Sequence, residues 1–223
     1  MTAARPKKTI TAKEPYLKGK NAAYLWLFIA INIAVFLCLF VGSSLTEASI
    51  DHFWHRVTMK SGIIAAGIPI VSIVLAGVLS DTAKARLVFW RWRYPLPGCR
   101  VFTELLKTDP RLDVPTLKKK LGNLPSEPQA QNALWFSSYR RHSAAPRVLE
   151  AQRLYLLTRD MTAMTALFAV LLSVGVLVGT AGWKVFAMYA IALLAQYLLI
   201  ASSARNYGCR FVLNVLSEEL TQR

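Results

Sequence analysis

The sequence predicts an all-α membrane protein with four transmembrane helices and a helical cytoplasmic insert between spans two and three. Three observations predict it. Apolar residues gather into four blocks, each of about 20 residues, which at a rise of ~1.5 Å per residue is enough to cover the ~30 Å hydrocarbon layer. Charged residues make up 17% of the chain, against about 25% in soluble domains, and they lie between the blocks. Lys and Arg outnumber Asp and Glu 27 to 12, for a net charge of +15, and the surplus is one-sided along the chain.

The spans are 23–42, 62–80, 161–179 and 184–203. A lone strand would leave its backbone unpaired in lipid, so each is read as a helix. The tail 1–22 holds six basic residues: Arg5, Lys7, Lys8, Lys13, Lys18 and Lys20. It precedes an apolar run too long for a signal peptide and lacks a clear cleavage site, so the run is read as the first span. Segment 81–160 holds fifteen basic residues against seven acids. The loop 44–61 has only Arg56 and Lys60, and the tail 204–223 has Arg205, Arg210 and Arg223. Four spans bring every basic-rich segment to one side, which orients both termini and the insert to the cytoplasm of a bacterial inner membrane.

In the outer loop, Ile50, Phe53, Trp54 and Val57 recur at helical spacing and suggest a short interfacial helix. His52 and His55 beside Asp51 are too few ligands for a metal site. Neither a metal nor a cofactor is expected. Cys38 falls within a span, and Cys99 and Cys209 fall in cytoplasmic segments, so a disulfide scaffold is not expected either.

The second span is expected to continue as a helix through Asp81 to Arg93, and Pro95, Pro97 and Gly98 then end it. Trp90, Trp92 and Tyr94 would sit at headgroup depth, where Arg91 and Arg93 meet phosphates. A short helix is expected over 100–108. Asp113 caps the next helix and Gly122 terminates it, with Lys118–Lys120 at its C-terminal end. Ser126 opens a further helix with Pro128 early in it. Ser143 caps a last one, with Pro146 in its first turn, that feeds into span three. In the tail, Phe211, Val212, Val215, Leu216 and Leu220 form the apolar face of a separate cytoplasmic amphipathic helix.

Inside the spans, Asn32 and Gln196 are amides that seek an interhelical bond or a water-filled path. Ser72, Ser80 and Ser173 belong to small-residue stripes that serve close helix packing or line a narrow oligomer axis. No ionisable residue lies near a span's centre, which argues against a proton relay or an ion-coupled pump. Phosphate-binding glycine loops, H-E-x-x-H and C-x-x-C are all absent. Cys99 and His142 carry no orienting motif, so enzymatic activity is not expected.

The remaining chemistry is a basic surface. Its candidate ligand-binding residues are Arg91, Arg93, Arg100, Lys118, Lys119, Lys120, Arg140 and Arg141. Trp135 and Tyr139 on the helix of Arg140 and Arg141 could stack a nucleobase while the arginines grip phosphate. Lipid headgroup contact and orientation alone would also account for these charges.

The stretches WRWRYPLPGCR (90–100) and QNALWFSSYRR (131–141) resemble the small multi-pass membrane effectors that accompany nucleotidyltransferases in bacterial anti-phage systems, such as that of the Hailong system. The likeness covers under a tenth of the chain, and no site residue is carried over from it. It implies a homo-oligomeric, channel-like effector controlled by a nucleotide or oligonucleotide, with a cognate nucleotidyltransferase as partner. Two other functions stand beside it: a non-conducting adaptor that recruits a cytosolic partner to the bilayer, and a small-solute transporter.

Overall fold

In a computed structural model of the chain, the described residues are 13–42, 74, 77, 79–179 and 183–221. The expected outer-loop helix, His52, His55, Ser72 and most of the second span lie outside them. Among the described residues all regular structure is helical: α1 (Lys13–Gly42), α2 (Asp81–Phe89), 3-10 turns at Pro97–Arg100 and Leu105–Thr108, α3 (Val114–Leu121), α4 (Pro128–His142), α5 (Pro146–Gly179) and α6 (Trp183–Thr221).

Three helices are long and apolar enough to cross a membrane, with spans within Gly19–Cys38, Pro146–Leu177 and Trp183–Thr221. This is the pattern of a multi-pass membrane protein. The helix α5 has 34 residues and α6 has 39, so at ~1.5 Å per residue they run about 51 and 58 Å. Both therefore exceed a bilayer crossing and continue into the insert.

The α5–α6 pair is antiparallel. Tyr155 stacks on Phe211 at one end (ring centroids 6.4 Å), while Phe168, Leu172 and Val176 cluster with Tyr189 and Leu193 at the other. The helix α1 lies parallel to α5. Asn21 Nδ2 donates to the Arg153 carbonyl (2.9 Å) and Arg153 Nε donates back to Asn21 Oδ1 (3.1 Å); farther along, Phe28 stacks on Phe168. The buried face of α1 is Asn21, Ile29, Asn32 and Phe36, a seam at helical spacing. Its other faces expose Tyr24, Trp26, Leu27, Ile31 and Val35, as α6 exposes Met188, Ile191, Leu194 and Leu199. A soluble surface rarely carries apolar patches of this extent.

Two apolar clusters result. One holds α1, α5 and the first half of α6 together. The other is the core of the insert, where α2, α3 and α4 pack on the first third of α5 and the last third of α6. Between them sits a charged layer. Arg159, almost fully buried, pairs with Asp81 (3.0 Å) and Asp160 (3.3 Å), and Asp160 also takes Lys84 (3.1 Å). The four charges sum to zero; Asp81 is exposed, whereas removing Asp160, which both Arg159 and Lys84 share, leaves two largely buried cations under-compensated, a loss that typically costs about 3–5 kcal/mol for a buried pair.

Several expected boundaries move. Span two does not run through into Asp81. Ser80 is extended (φ −60°, ψ 155°), and its hydroxyl accepts from Ala83 N (3.2 Å). This is an N-cap that starts a new helix. That helix ends at Phe89, not Arg93, because Trp90 adopts a left-handed conformation (φ 54°). The expected 100–108 helix is replaced by the two 3-10 turns. The buried Gln131 side chain takes the Phe102 and Thr103 amides (3.0 and 3.3 Å), which an α-helix would leave to water at its first turn. Glu127, not Ser126, caps α4 through Gln129 N and Ala130 N. Ser143 donates to the Arg140 carbonyl instead of capping α5. The C-terminal amphipathic segment is not a separate helix but the far part of α6. Asp113 and Gly122 bound α3 as expected, and α5 does run unbroken into an apolar stretch long enough to cross a membrane.

Candidate functional site: two basic surfaces on the insert

The structure divides the basic residues into two groups. The first is a collar at the C-terminus of α2. A helix end leaves carbonyls without intrahelical partners, and here other elements supply donors. Trp90 N donates to Arg86 O (2.9 Å), Tyr197 hydroxyl to Leu87 O (2.7 Å) and Arg205 Nε to Val88 O. The guanidinium of Arg205 lies 3.5 Å over the Trp90 ring, whose Nε1 donates to Tyr197 (2.9 Å). Two α6 side chains thus hold the end of α2. Arg91 makes a bidentate pair with Glu104 (3.1 and 3.2 Å), and Arg100 shares the same carboxylate (3.3 Å) while lying over Phe89. Tyr94 accepts from Gln129 Nε2 (2.7 Å). What remains exposed is Trp92, 81% accessible, with the Arg93 side chain and about half of Trp90, Arg91 and Tyr94. A cavity of about 410 Å³ opens beside them, lined by Leu79, Ala83, Arg86, Leu87, Trp90 and Tyr197.

The second group is the tip of the insert. The C-terminal ends of α3, α4 and α6 converge there. Lys120 Nζ donates to the Glu219 and Leu220 carbonyls (2.8 and 3.2 Å), satisfying the last turn of α6. The Glu219 carboxylate accepts from Arg141 Nη2 (2.9 Å) and Nε (3.3 Å), and the buried His142 Nε2 lies 3.0 Å from the same oxygen. Burial pushes the Glu219 carboxyl up, but hydrogen bonds from Arg141, Ser138 and His142 together outweigh it and hold the group below the usual range. Lys118, Lys119 and Arg140 are exposed. From Arg205 to Glu219 is fourteen residues of one helix, so collar and tip stand about 21 Å apart.

The expected ligand residues therefore do not form one site. Arg91, Arg93 and Arg100 belong to the collar; Lys118, Lys119, Lys120, Arg140 and Arg141 belong to the tip. Trp135 and Tyr139 are a correction. Both are under 10% exposed, with their rings stacked on each other (5.7 Å) and edge-on to Phe211 (5.5 Å each). Trp135 Nε1 donates to Val212 O and Tyr139 to Gln152. They are the insert's core and present no free face to a base. The exposed aromatic–cation pair on α4 is Phe136 with Arg140 (5.6 Å).

The expected polar residues of the spans are also accounted for. Asn32 donates to Phe28 O of its own helix (2.9 Å), not across to another span. Ser80 is a helix cap outside the apolar zone. Ser173 is buried with its hydroxyl unpartnered, and Gln196 is half-buried. Thr162 and Thr165 return their hydroxyls to carbonyls four residues back (2.7 and 2.8 Å).

Sequence reasoning missed Glu219, Tyr197 and Arg205, and weighed His142 only as a partner for Cys99, whereas it lies against Glu219. For Glu219 and His142 a signal existed: each sits in the last turn of a helix whose apolar face the sequence defines. Among the described residues no three His, Cys, Asp or Glu side chains gather as a metal site would require. Compared with protein-family models, curated proteins and solved structures, the chain matches none.

Proposed function

We propose that the chain is a four-span inner-membrane protein that acts as a homo-oligomeric, channel-like effector, controlled by an anionic ligand at its basic cytoplasmic insert. The observation that carries this reading is that α5 and α6 are each one unbroken helix from the insert core into the apolar zone. A ligand that shifts the insert helices therefore moves two spans directly.

Four crossings are supported by where the chain ends meet. Gly42 ends α1 far from the insert, whereas Ser80 opens α2 beside the Arg159–Asp160 layer. By the register of α1 on α5, taken from Asn21 on Arg153 and from Phe28 on Phe168, the two levels differ by about 21–33 Å. The chain must return over that distance, and 62–80 is its apolar stretch. The starts of α1 and α5 and the end of α6 share one end of the bundle, as the positive-inside pattern requires. Tyr24, Trp26, Trp90, Trp92 and Tyr94 then mark the headgroup level. The hydroxyls of Thr162 and Thr165 are consumed within α5, so a conducting path runs between copies and not through one chain. The resemblance to anti-phage effectors makes a nucleotide or oligonucleotide the ligand and a nucleotidyltransferase its source.

Purified protein in liposomes tests this. Ion flux that short oligonucleotides switch, from an oligomer in detergent, is the expected result. A monomer without flux under any condition would refute it. The second reading, a non-conducting adaptor, draws on the same self-satisfied hydroxyls and the uncharged span centres.

A further inference from the structure

The tip holds a carboxylate in a cradle of the kind that binds phosphate. We propose that Arg141, its guanidinium braced on Ser138 Oγ (3.2 Å), and His142 form a phosphate-binding site whose occupant in this structure is the chain's own Glu219. A phosphate-bearing ligand binds there by displacing Glu219 and freeing the end of α6. This inference rests on the reading that an anion controls the insert, and it assigns that control a site and a lock.

Three observations carry it. Arg141 directs two donors at a single oxygen of Glu219, and His142 approaches the same oxygen at 3.0 Å. A planar guanidinium with a neighbouring imidazole matches the several oxygens of a phosphate better than one carboxylate oxygen. The His142 side chain is almost wholly buried, and its Nδ1 has no partner, which is unfavourable for a polar ring serving packing alone. Charge at the tip also exceeds what its own groups neutralise. Lys118, Lys119, Lys120, Arg140 and Arg141 face Glu218 and Glu219 together with three helix C-termini worth about −0.5 each, which leaves roughly +1.5.

Displacement has a mechanical consequence. The last turn of α6 is tied to α3 and α4 by the Glu219 carboxylate and by Lys120 on the Glu219 and Leu220 carbonyls. Once Glu219 is released, half of that tie is gone, and the freed helix is the one that carries the fourth span.

The test titrates inorganic pyrophosphate into the full chain in detergent, by calorimetry. Glu219→Gln removes the resident competitor and should tighten binding about tenfold. Arg141→Ala should weaken it at least about tenfold, as loss of a charge-assisted bond does. Arg141→Lys, which keeps the charge and folds more safely, should fall between wild type and Arg141→Ala. Pyrophosphate should also speed amide exchange in the last turn of α6 in the wild type and leave Glu219→Gln unchanged. A purely structural role would weaken binding in both Glu219→Gln and Arg141→Ala. Binding by Glu219→Gln no tighter than wild type, or an Arg141→Ala variant that binds normally, overturns the proposal. Flux plays no part in this readout: opposite shifts without flux sink only the channel reading, and switchable flux without opposite shifts sinks only this one.

Discussion

Gly208 brings α6 into close contact with α2 and α5. A Cβ there would lie 2.8 Å from Phe89 Cζ and 3.0 Å from Tyr155 Cε2. Two effects of opposite sign act on Gly208→Ala. Helix propensity alone favours alanine by about 1 kcal/mol. Overpacking a filled core costs about 1–3 kcal/mol, and the upper part of that range applies when neighbours cannot yield. Here they cannot. Phe89 is buried beneath the Arg100 guanidinium, and Tyr155 is stacked on Phe211. The net is a destabilisation of about 1–2 kcal/mol, which lowers Tm by about 2–8 °C for a chain of this size. Thermal unfolding in detergent followed by circular dichroism measures it. Gly19→Ala in α1, where nothing lies within 4 Å, is the control and should lose no stability. A Gly208→Ala chain that unfolds at or above the wild-type temperature would refute this packing.

Three further outcomes follow from the same geometry. Leu117 is fully buried and anchors α3, a helix of 8 residues that is too short to persist alone. Leu117→Ala should cost about 2–5 kcal/mol and show as loss of exchange protection across α3. Burial raises the thiol pKa of Cys99 and of Cys209, the arginine at position 100 opposing it in both cases. Neither should react with iodoacetamide at neutral pH until the protein is unfolded, whereas Cys38 is exposed, and an adduct mapped to the Cys99 or Cys209 peptide of the native chain would contradict this. The Glu219 and Asp109 carboxyls are both depressed, Glu219 as described and Asp109 chiefly through its hydrogen bond from Arg111. A depressed carboxyl stabilises above its ordinary pKa and loses that contribution as pH falls below it. Tm should therefore drop below about pH 4.5, and less steeply in Glu219→Gln than in the wild type.

Local signals were readable where chemistry and position coincide. Asp113 before a proline-led helix, Gly122 after three lysines, and the 211–216 apolar face all appear as the residues alone imply. Two kinds of information were not readable. Ser80 caps a new helix at the end of the expected second span, where the same residues also suit a span that simply runs on into Asp81. The 100–108 segment turns in two 3-10 pieces and is pinned by Gln131, distant in sequence, which accepts from its Phe102 and Thr103 amides. The stacking site failed for a reason the sequence did contain. Gln131, Trp135, Ser138 and His142 recur at helical spacing as one buried face, so Trp135 and Tyr139 point inward while Phe136 and Arg140 point out. Adjacency to arginines in sequence was mistaken for adjacency in space.

The central claim is that the insert and both ends of the chain share one side of the membrane, with 43–80 crossing back. Single cysteines at positions 55, 107 and 221, in a chain whose native cysteines are alanine, test it in spheroplasts with a membrane-impermeant maleimide. The account predicts labelling of position 55 on intact spheroplasts, and of 107 and 221 only after permeabilisation. If 55 and 107 both label on intact spheroplasts, or both label only after permeabilisation, the segment between them does not cross and the four-span account is wrong.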